Sequence, residues 1–301
     1  MRAASTRLGA VGLVLAAAAL FGTTGTAQAL GPSSATPLGV GAARLVVGGL
    51  ALLAVLPVVG TPRAGALALW RTPAGIVAGA CTCLYQVAFF AGVQRAGVAL
   101  GTLVAIGSGP VLTGVLARWR LGERGGRAWL LATGLCLTGL SLLVLGGTPA
   151  SRPDPLGVLL AVVAGSAYAV YTVVARQQMV AGHAPAAVVG AAFGLGGLLS
   201  IPILVSQPLG WLTEADGLAL ALYLGLVATT VAYLLFGRGL AALAAGPVTT
   251  LMLAEPLVAT TLGVVVLDEQ LSILGGVGAA LVLVGLLVVG SAAQGRDARP
   301  A

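Results

Sequence analysis

Two ionisable side chains, Arg44 and Glu255, fall inside long apolar stretches of the sequence. If these stretches cross a membrane, each charge costs on the order of 2.5–3.5 kcal/mol at the bilayer centre, so each needs a reason to be there. Glu255 directly precedes Pro256, whose missing N–H frees a carbonyl of the preceding turn. Glu255 therefore has two interpretations. It binds a cationic substrate or exchanges a proton, or it only locks helix packing.

Arg44 favours a structural interpretation, because it can extend its stem to an interface or pair with a carboxylate or carbonyl inside a bundle. Glu123 and Glu269 each follow a leucine two positions earlier and precede a new apolar stretch. Carboxylates suit helix N-termini, so a structural or gating role is expected for both. Pro110 and Pro256 are expected to loosen their two helices together.

The elements that hold these residues are predicted to be transmembrane helices. Of 301 residues 58% are hydrophobic and 8% charged, whereas soluble domains have roughly 25% charged residues. A helical span needs roughly 20 apolar residues, and barrel strands would alternate in polarity. Ten apolar stretches are predicted to span as TM1 to TM10: Leu8–Ala29, Pro37–Pro57, Pro73–Val93, Val98–Ala117, Ala128–Gly147, Leu156–Ala175, Pro185–Val205, Gly217–Phe236, Pro247–Leu267 and Leu271–Ser291.

The arginines predict the orientation. Every basic residue other than His183 is Arg, and twelve of the fifteen lie in alternate loops. The opposite loops hold only Arg95 and Arg152, and Arg44 lies within TM2. By the positive-inside rule both termini are predicted to be cytoplasmic, in the cell membrane. The four tryptophans, at span ends, are expected to lie at headgroup level: Trp70, Trp119, Trp129 and Trp211.

The N-terminal stretch has a competing interpretation as a secretory signal, because Ala27-Gln28-Ala29 resembles a cleavage site. Its spanning length favours TM1. The three cysteines show no disulfide framework or metal-ligand spacing, and the chain lacks the lysine of a nucleotide-binding loop. No cofactor, metal or nucleic-acid partner is expected.

An internal repeat divides the chain into residues 1–150 and 151–301. At an offset of 146, Gly109-Pro110 matches Glu255-Pro256, and Leu121-Gly122-Glu123 matches Leu267-Asp268-Glu269. Each half has five spans, an odd number, so the second half must enter the membrane in the opposite orientation. An inverted repeat of this kind is a recurrent transporter architecture, with a substrate site near the midplane.

The sequence resembles the EamA-type transporters of the drug/metabolite transporter superfamily over essentially its whole length. The resemblance rests on Phe21-Gly22 in TM1, Ala43-Arg44-Leu45 in TM2, Leu121-Gly122-Glu123 after TM4, Tyr168-Ala169-Val170-Tyr171 in TM6 and Glu255-Pro256 in TM9. It implies an all-α fold of ten helices and transport of small metabolites. It also places TM1, TM3, TM6 and TM8 around a central cavity. The aromatic residues then expected to line that cavity are Phe21, Tyr85, Phe89, Tyr168, Tyr171 and Tyr233. Gln86, which is polar in the middle of TM3, and Glu255, whose equivalent in the first half is Gly109, are expected there as well.

The leading functional hypothesis is a secondary transporter for small metabolites or drug-like molecules, working by alternating access and in the direction of efflux. Its partners would be the substrate, the bilayer and a proton or other coupling ion. An intramembrane enzyme is disfavoured, because the only histidine, His183, lies in a loop and the Gly-x-Ser-x-Gly and His-Glu-x-x-His motifs are absent. A non-transporting membrane scaffold stays open as the alternative.

Overall fold

The computed structural model describes residues 2–146 and 154–294, so Arg152 and the boundary between the two predicted halves lie outside the described residues. Within these ranges ten helices are long and apolar enough to cross a membrane. The spans are TM1 Arg2–Ala29, TM2 Pro37–Val55, TM3 Pro73–Ala96, TM4 Val98–Leu121, TM5 Arg127–Leu145, TM6 Pro155–Val180, TM7 Pro185–Val205, TM8 Ala215–Ala242, TM9 Ala245–Val266 and TM10 Ile273–Gln294.

Local sequence explains where several spans begin. Thr36 and Thr72 cap TM2 and TM3 by accepting hydrogen bonds from the N–H groups of Gly39 and Gly75, at 3.1 and 3.0 Å. A proline follows each threonine, at the one position in a helix where the missing N–H costs nothing. Every predicted span corresponds to a helix, and the short helix Arg63–Leu69 between TM2 and TM3 was not predicted.

Contacts between TM5 and TM10 show that the two halves are inverted. A side chain added at Gly139 of TM5 would meet Val282 of TM10, and one added at Gly285 of TM10 would meet Cys136 of TM5. Gly139 and Gly285 are 146 positions apart, and so are Cys136 and Val282, so the two contacts are equivalent under the repeat. The two helices run antiparallel, as an in-plane pseudo-two-fold axis requires.

TM2 and TM7 meet across the same axis. Gly49 of TM2 packs on the backbone of Phe193, and Gly197 of TM7 packs on the backbone of Leu45. Here the offset is 148, and again one contact maps onto the other. The predicted fold class is therefore confirmed: an all-α integral membrane protein with ten transmembrane helices in two inverted five-helix repeats.

Two spans of the second half are irregular where their partners in the first half are regular. TM8 contains a π-helical segment, Tyr223–Val231, and TM9 is interrupted between Ala245–Leu251 and Ala254–Val266. TM4 is a continuous helix through Pro110. That the two prolines loosen their helices together stays a prediction, although only TM9 is interrupted. Neighbouring side chains and local adjustment commonly let a membrane helix keep an internal proline.

The four tryptophans lie at or near span ends, and their placement at headgroup level stays a prediction. Trp119 is 73% exposed, but Trp211 is 1% exposed. Trp70 donates to the carbonyl of Ala191 at 2.8 Å, and Trp129 donates to the hydroxyl of Thr250 at 3.0 Å. Three of the four indoles thus pack inward, where they join helices.

Candidate functional site

Aromatic rings from both halves form a cluster at the centre of the bundle. Tyr233 of TM8 is central to it, with ring centroids 3.8 Å from Phe193, 4.7 Å from Phe21 and 6.3 Å from Tyr171. Tyr85 lies 6.2 Å from Tyr168 on the other side of the cluster. TM1, TM3, TM6, TM7 and TM8 each contribute a ring.

A small cavity opens among these rings. Its volume is about 20 Å³, which is room for about one water molecule. The conformation is therefore nearly closed around its centre. The wall combines polar and aromatic side chains and is formed by Arg44, Leu45, Cys81, Thr82, Tyr85, Gln86, Tyr168, Tyr171, Phe193 and Tyr233.

Two tyrosine hydroxyls of the wall have no hydrogen-bond partner among the described residues. The hydroxyl oxygens of Tyr168 and Tyr171 are buried, and neither forms a hydrogen bond. Leaving a buried polar group unpaired costs about 1–3 kcal/mol, so the arrangement favours a partner that enters the cavity. A substrate with hydrogen-bonding groups would supply it.

Arg44 contributes a charge to the cavity wall, although a structural role was favoured for it. Its Nε donates to the hydroxyl of Thr229 on TM8 at 3.1 Å. That hydroxyl donates in turn to the carbonyl of Leu224, five residues earlier, at 2.8 Å. The π-helical segment thus presents a hydroxyl that fixes one side of the guanidinium.

Glu255 is not among the residues that line the cavity, but it lies within electrostatic range of Tyr85, Tyr168 and Tyr233, which do. It is partly exposed, lies in the first turn of the second TM9 helix, and forms no side-chain hydrogen bond among the described residues. Arg44 and Glu255 lie within electrostatic range of each other without a direct ion pair. The backbone of Glu255 packs against Gly22 of TM1, where an added Cβ would lie 2.8 Å from its carbonyl oxygen.

The other expected residues divide into two groups. Tyr85, Gln86, Tyr168, Tyr171 and Tyr233 line the cavity. Phe21 and Phe89 lie one layer out: Phe21 packs on Tyr233, and Phe89 stacks on Tyr85 with centroids 5.7 Å apart.

Phe193 was missed by the sequence reasoning. It occupies an apolar position in an apolar helix, so no local pattern marks it. Its only signal is its equivalence to Leu45 across the TM2–TM7 contact, which becomes visible once the packing is known.

A second polar site ties four helices together at the end of the bundle that carries the arginine-rich loops, which we call the arginine-rich end. Arg176 at the end of TM6 contacts Glu123 with Nε–Oε1 3.1 Å apart, and it donates to the carbonyls of Leu240 and Ala241 on TM8. The other oxygen of Glu123 accepts from the N–H of Ala245 at 2.8 Å. We call this arrangement the clasp.

The clasp corrects the expected partner of Glu123. The carboxylate does lie at a helix N-terminus, but the helix is TM9 in the other half of the molecule, not TM5. Glu269, its equivalent, is exposed and lies beside Gly263 of TM9, and no ion pair involves it within residues 2–146 and 154–294. Ser272, not Glu269, accepts from an N–H at the start of TM10, that of Gly275 at 3.0 Å.

The fold and the central cavity define a polytopic membrane transporter of the inverted-repeat class. The model of the EamA-like transporter family matches residues 8–145 and 155–291. The chain therefore belongs to the EamA-like transporter family, which confirms the resemblance seen in the sequence.

Individual relatives are similar to this chain over most of its length. The chain is 41% identical over 279 residues to the uncharacterized transporter YwfM of Bacillus subtilis, covering 93% of each chain. It is 31% identical over 259 residues to the uncharacterized protein PA1977 of Pseudomonas aeruginosa, covering 86% of this chain and 85% of the relative. One crystal structure superposes with a TM-score of 0.81 at 20% identity, over 96% of this chain and 99% of that one.

Proposed function

We propose that the protein exports small organic molecules by alternating access, with the substrate bound in the central cavity between the two repeats. The observation that carries this proposal is the ring of aromatic side chains around unpaired tyrosine hydroxyls and Arg44. Aromatic walls with a few convergent polar groups are the usual composition of small-molecule sites. The clasp closes the arginine-rich end, so an inward-open state requires it to separate.

The substrate can be sought first by comparing efflux of a panel of metabolites from cells with and without the protein. The compound that responds then serves as the probe in vesicles that contain the purified protein. A protein that supports no flux of any compound in the panel would leave a non-transporting scaffold as the better hypothesis.

Tyr171→Phe tests whether the cavity hydroxyls bind substrate. The hydroxyl has no hydrogen-bond partner among the described residues, so its removal should leave stability unchanged or raised, because an unpaired buried group is lost. Transport should nevertheless fall, with a higher KM. Tyr223→Phe is the control, since the hydroxyl of Tyr223 is already used in a 2.8 Å bond to Thr23; it should lower stability and spare KM.

Glu255→Gln tests the carboxylate as a cation or proton site. The variant keeps the shape of the side chain and removes its charge, so transport or its pH dependence should change while membrane expression persists. Glu214→Gln removes a charge from an exposed position and serves as the control. An unchanged flux and pH profile in Glu255→Gln would leave a packing role for Glu255.

The orientation that we propose is the cell membrane with both termini in the cytoplasm and the arginine-rich end on the same side. Ser34 and Thr213 lie in exposed turns at the opposite end. After Cys81, Cys83 and Cys136 are replaced, cysteines at these positions should react with an impermeant reagent from outside intact cells. The third loop expected to react, near Thr148, lies outside the described residues.

A further inference from the structure

A recess much larger than the central cavity lies on the outer side of the bundle, between TM3, TM4 and TM6. Its volume is about 350 Å³, which is within the range of known ligand pockets. Apart from Arg120 and Gln177 its walls are apolar, with Val77, Leu116 and Val174 among them, and it lies near the start of TM3 and the ends of TM4 and TM6. The transport mechanism proposed above places the substrate in the central cavity and does not involve this recess.

The surface around the recess is apolar enough to face lipid. Val77, which lines the recess, is 40% exposed, and Ile76 of TM3 and Val115 of TM4 are 51% and 62% exposed. Large exposed aliphatic side chains on transmembrane helices are solvated by acyl chains. The recess therefore opens sideways into the bilayer at the arginine-rich end.

One cation lies at the mouth of the recess. Arg120 is part of its lining, and its guanidinium lies 4.7 Å from the centroid of the Trp119 ring. Trp119 is 73% exposed, as an indole at headgroup level would be. Within residues 2–146 and 154–294 no carboxylate pairs with Arg120. The guanidinium is thus held at the membrane surface with its donors available.

From this geometry we propose that the recess is a binding site for an anionic phospholipid, with an acyl chain between TM3, TM4 and TM6 and the phosphate at Arg120. Lipid tails are as apolar as the walls, so the recess alone gives little preference over bulk bilayer. Selection must come from the headgroup. A guanidinium binds phosphate oxygens through two parallel N–H donors, and the surrounding arginine-rich loops add a favourable potential.

Native mass spectrometry of the full chain tests the site, with phosphatidylglycerol and phosphatidylcholine of the same acyl composition as probes. The wild-type protein should retain one phosphatidylglycerol in preference to phosphatidylcholine. Arg120→Gln should reduce this preference about tenfold, because the phosphate loses its charge-assisted hydrogen bonds to the guanidinium. Arg118→Gln is the matched control, because it removes the same charge from the same exposed helix end without lining the recess.

Val174→Phe fills the recess and should also release the retained lipid. If that variant does not fold, Ala74→Phe fills the recess from TM3 and decides the question. Equal losses in Arg118→Gln and Arg120→Gln would overturn the proposal, because they would show diffuse attraction to a basic surface. Retention of phosphatidylglycerol in a folded, filled variant would overturn it as well. Glycerol phosphate, which has the headgroup charge without a chain, should not displace the lipid.

Discussion

The corner after TM4 and the corner after TM9 carry the same Leu-x-Glu pattern, yet only one is joined to the rest of the molecule. Glu123 bonds Arg176 and the N–H of Ala245 in the opposite repeat. Glu269 bonds neither an arginine nor a helix terminus of the other half among the described residues. Gly92 of TM3 contacts TM6, and its equivalent Gly239 of TM8 contacts TM1. These equivalent contacts relate TM1 to TM6 by an offset of 147 residues. Ala29 of TM1 is therefore the equivalent of Arg176 of TM6.

The two copies of the motif thus differ through a single residue: Arg176 binds the first copy to the rest of the bundle, and the second copy lacks its equivalent. The opposite end is joined instead by an exposed pair, Arg95 and Asp154, 3.3 Å apart. Exposed pairs of this kind contribute about 0–1 kcal/mol. We therefore expect the two ends to separate at different cost, with the arginine-rich end the harder to open.

The largest expected effect comes from breaking the clasp. Glu123→Ala leaves Arg176 without its carboxylate and Ala245 without an acceptor, so the free energy of unfolding should fall by about 3 kcal/mol. Glu269→Ala should change it by less than about 0.5 kcal/mol, as surface substitutions usually do. Thermal unfolding in detergent measures both. Arg176→Ala combined with Glu123→Ala should cost less than the sum of the single changes, and additive losses would argue against a direct pair.

A smaller effect is expected from supplying the missing arginine. Ala29→Arg places a guanidinium at the position equivalent to Arg176, on an exposed helix end. If it pairs with Glu269, the melting temperature should rise by an amount equivalent to no more than about 1 kcal/mol. Glu269→Ala in the same chain should remove the gain. A gain that survives in the double variant would mean that the arginine acts on something other than the second corner.

The smallest effect concerns the middle residue of each corner. Gly122 has φ 67° and Asp268 has φ 55°, so both have left-handed backbone conformations. A residue with a side chain pays up to about 1–2 kcal/mol there, and less when it is Asp. Asp268→Gly should therefore raise stability by about 0.5 kcal/mol, and Gly122→Asp should lower it by a similar amount. The two melting temperatures should move in opposite directions, and a shift of the same sign would refute the equivalence of the corners.

The spans and the repeat were predictable because they depend on properties that add up over many residues. Some 20 apolar residues in a row leave little choice of structure in a membrane. The inverted repeat was predictable because the Pro and Leu-x-Glu positions occur in the same order and at the same spacing in both halves. Both ends of TM7, Pro185 and Val205, were predicted to the residue, because residues typical of loops flank the helix on both sides.

The clasp and the irregular segments were not predictable, because they depend on pairs of residues far apart in the chain. Arg176 counted only as one more basic loop residue, although its partners are 53, 64 and 65 positions away. The π-helical segment of TM8 has no proline to mark it. The interruption of TM9 lies just before Pro256, whereas TM4 is continuous through Pro110, so a proline alone does not locate an interruption.

The π-helical segment of TM8 gives that helix a built-in register adjustment. A wide turn holds one residue more than an α-turn, so its migration along the helix advances each residue that it passes by one position. In an α-helix one position corresponds to about 1.5 Å of translation and about 100° of rotation. Tyr233 and Thr229, which contact the cavity and Arg44, lie at or next to this segment. Such a migration would let TM8 rotate its cavity-facing side chains while both of its ends stay in place.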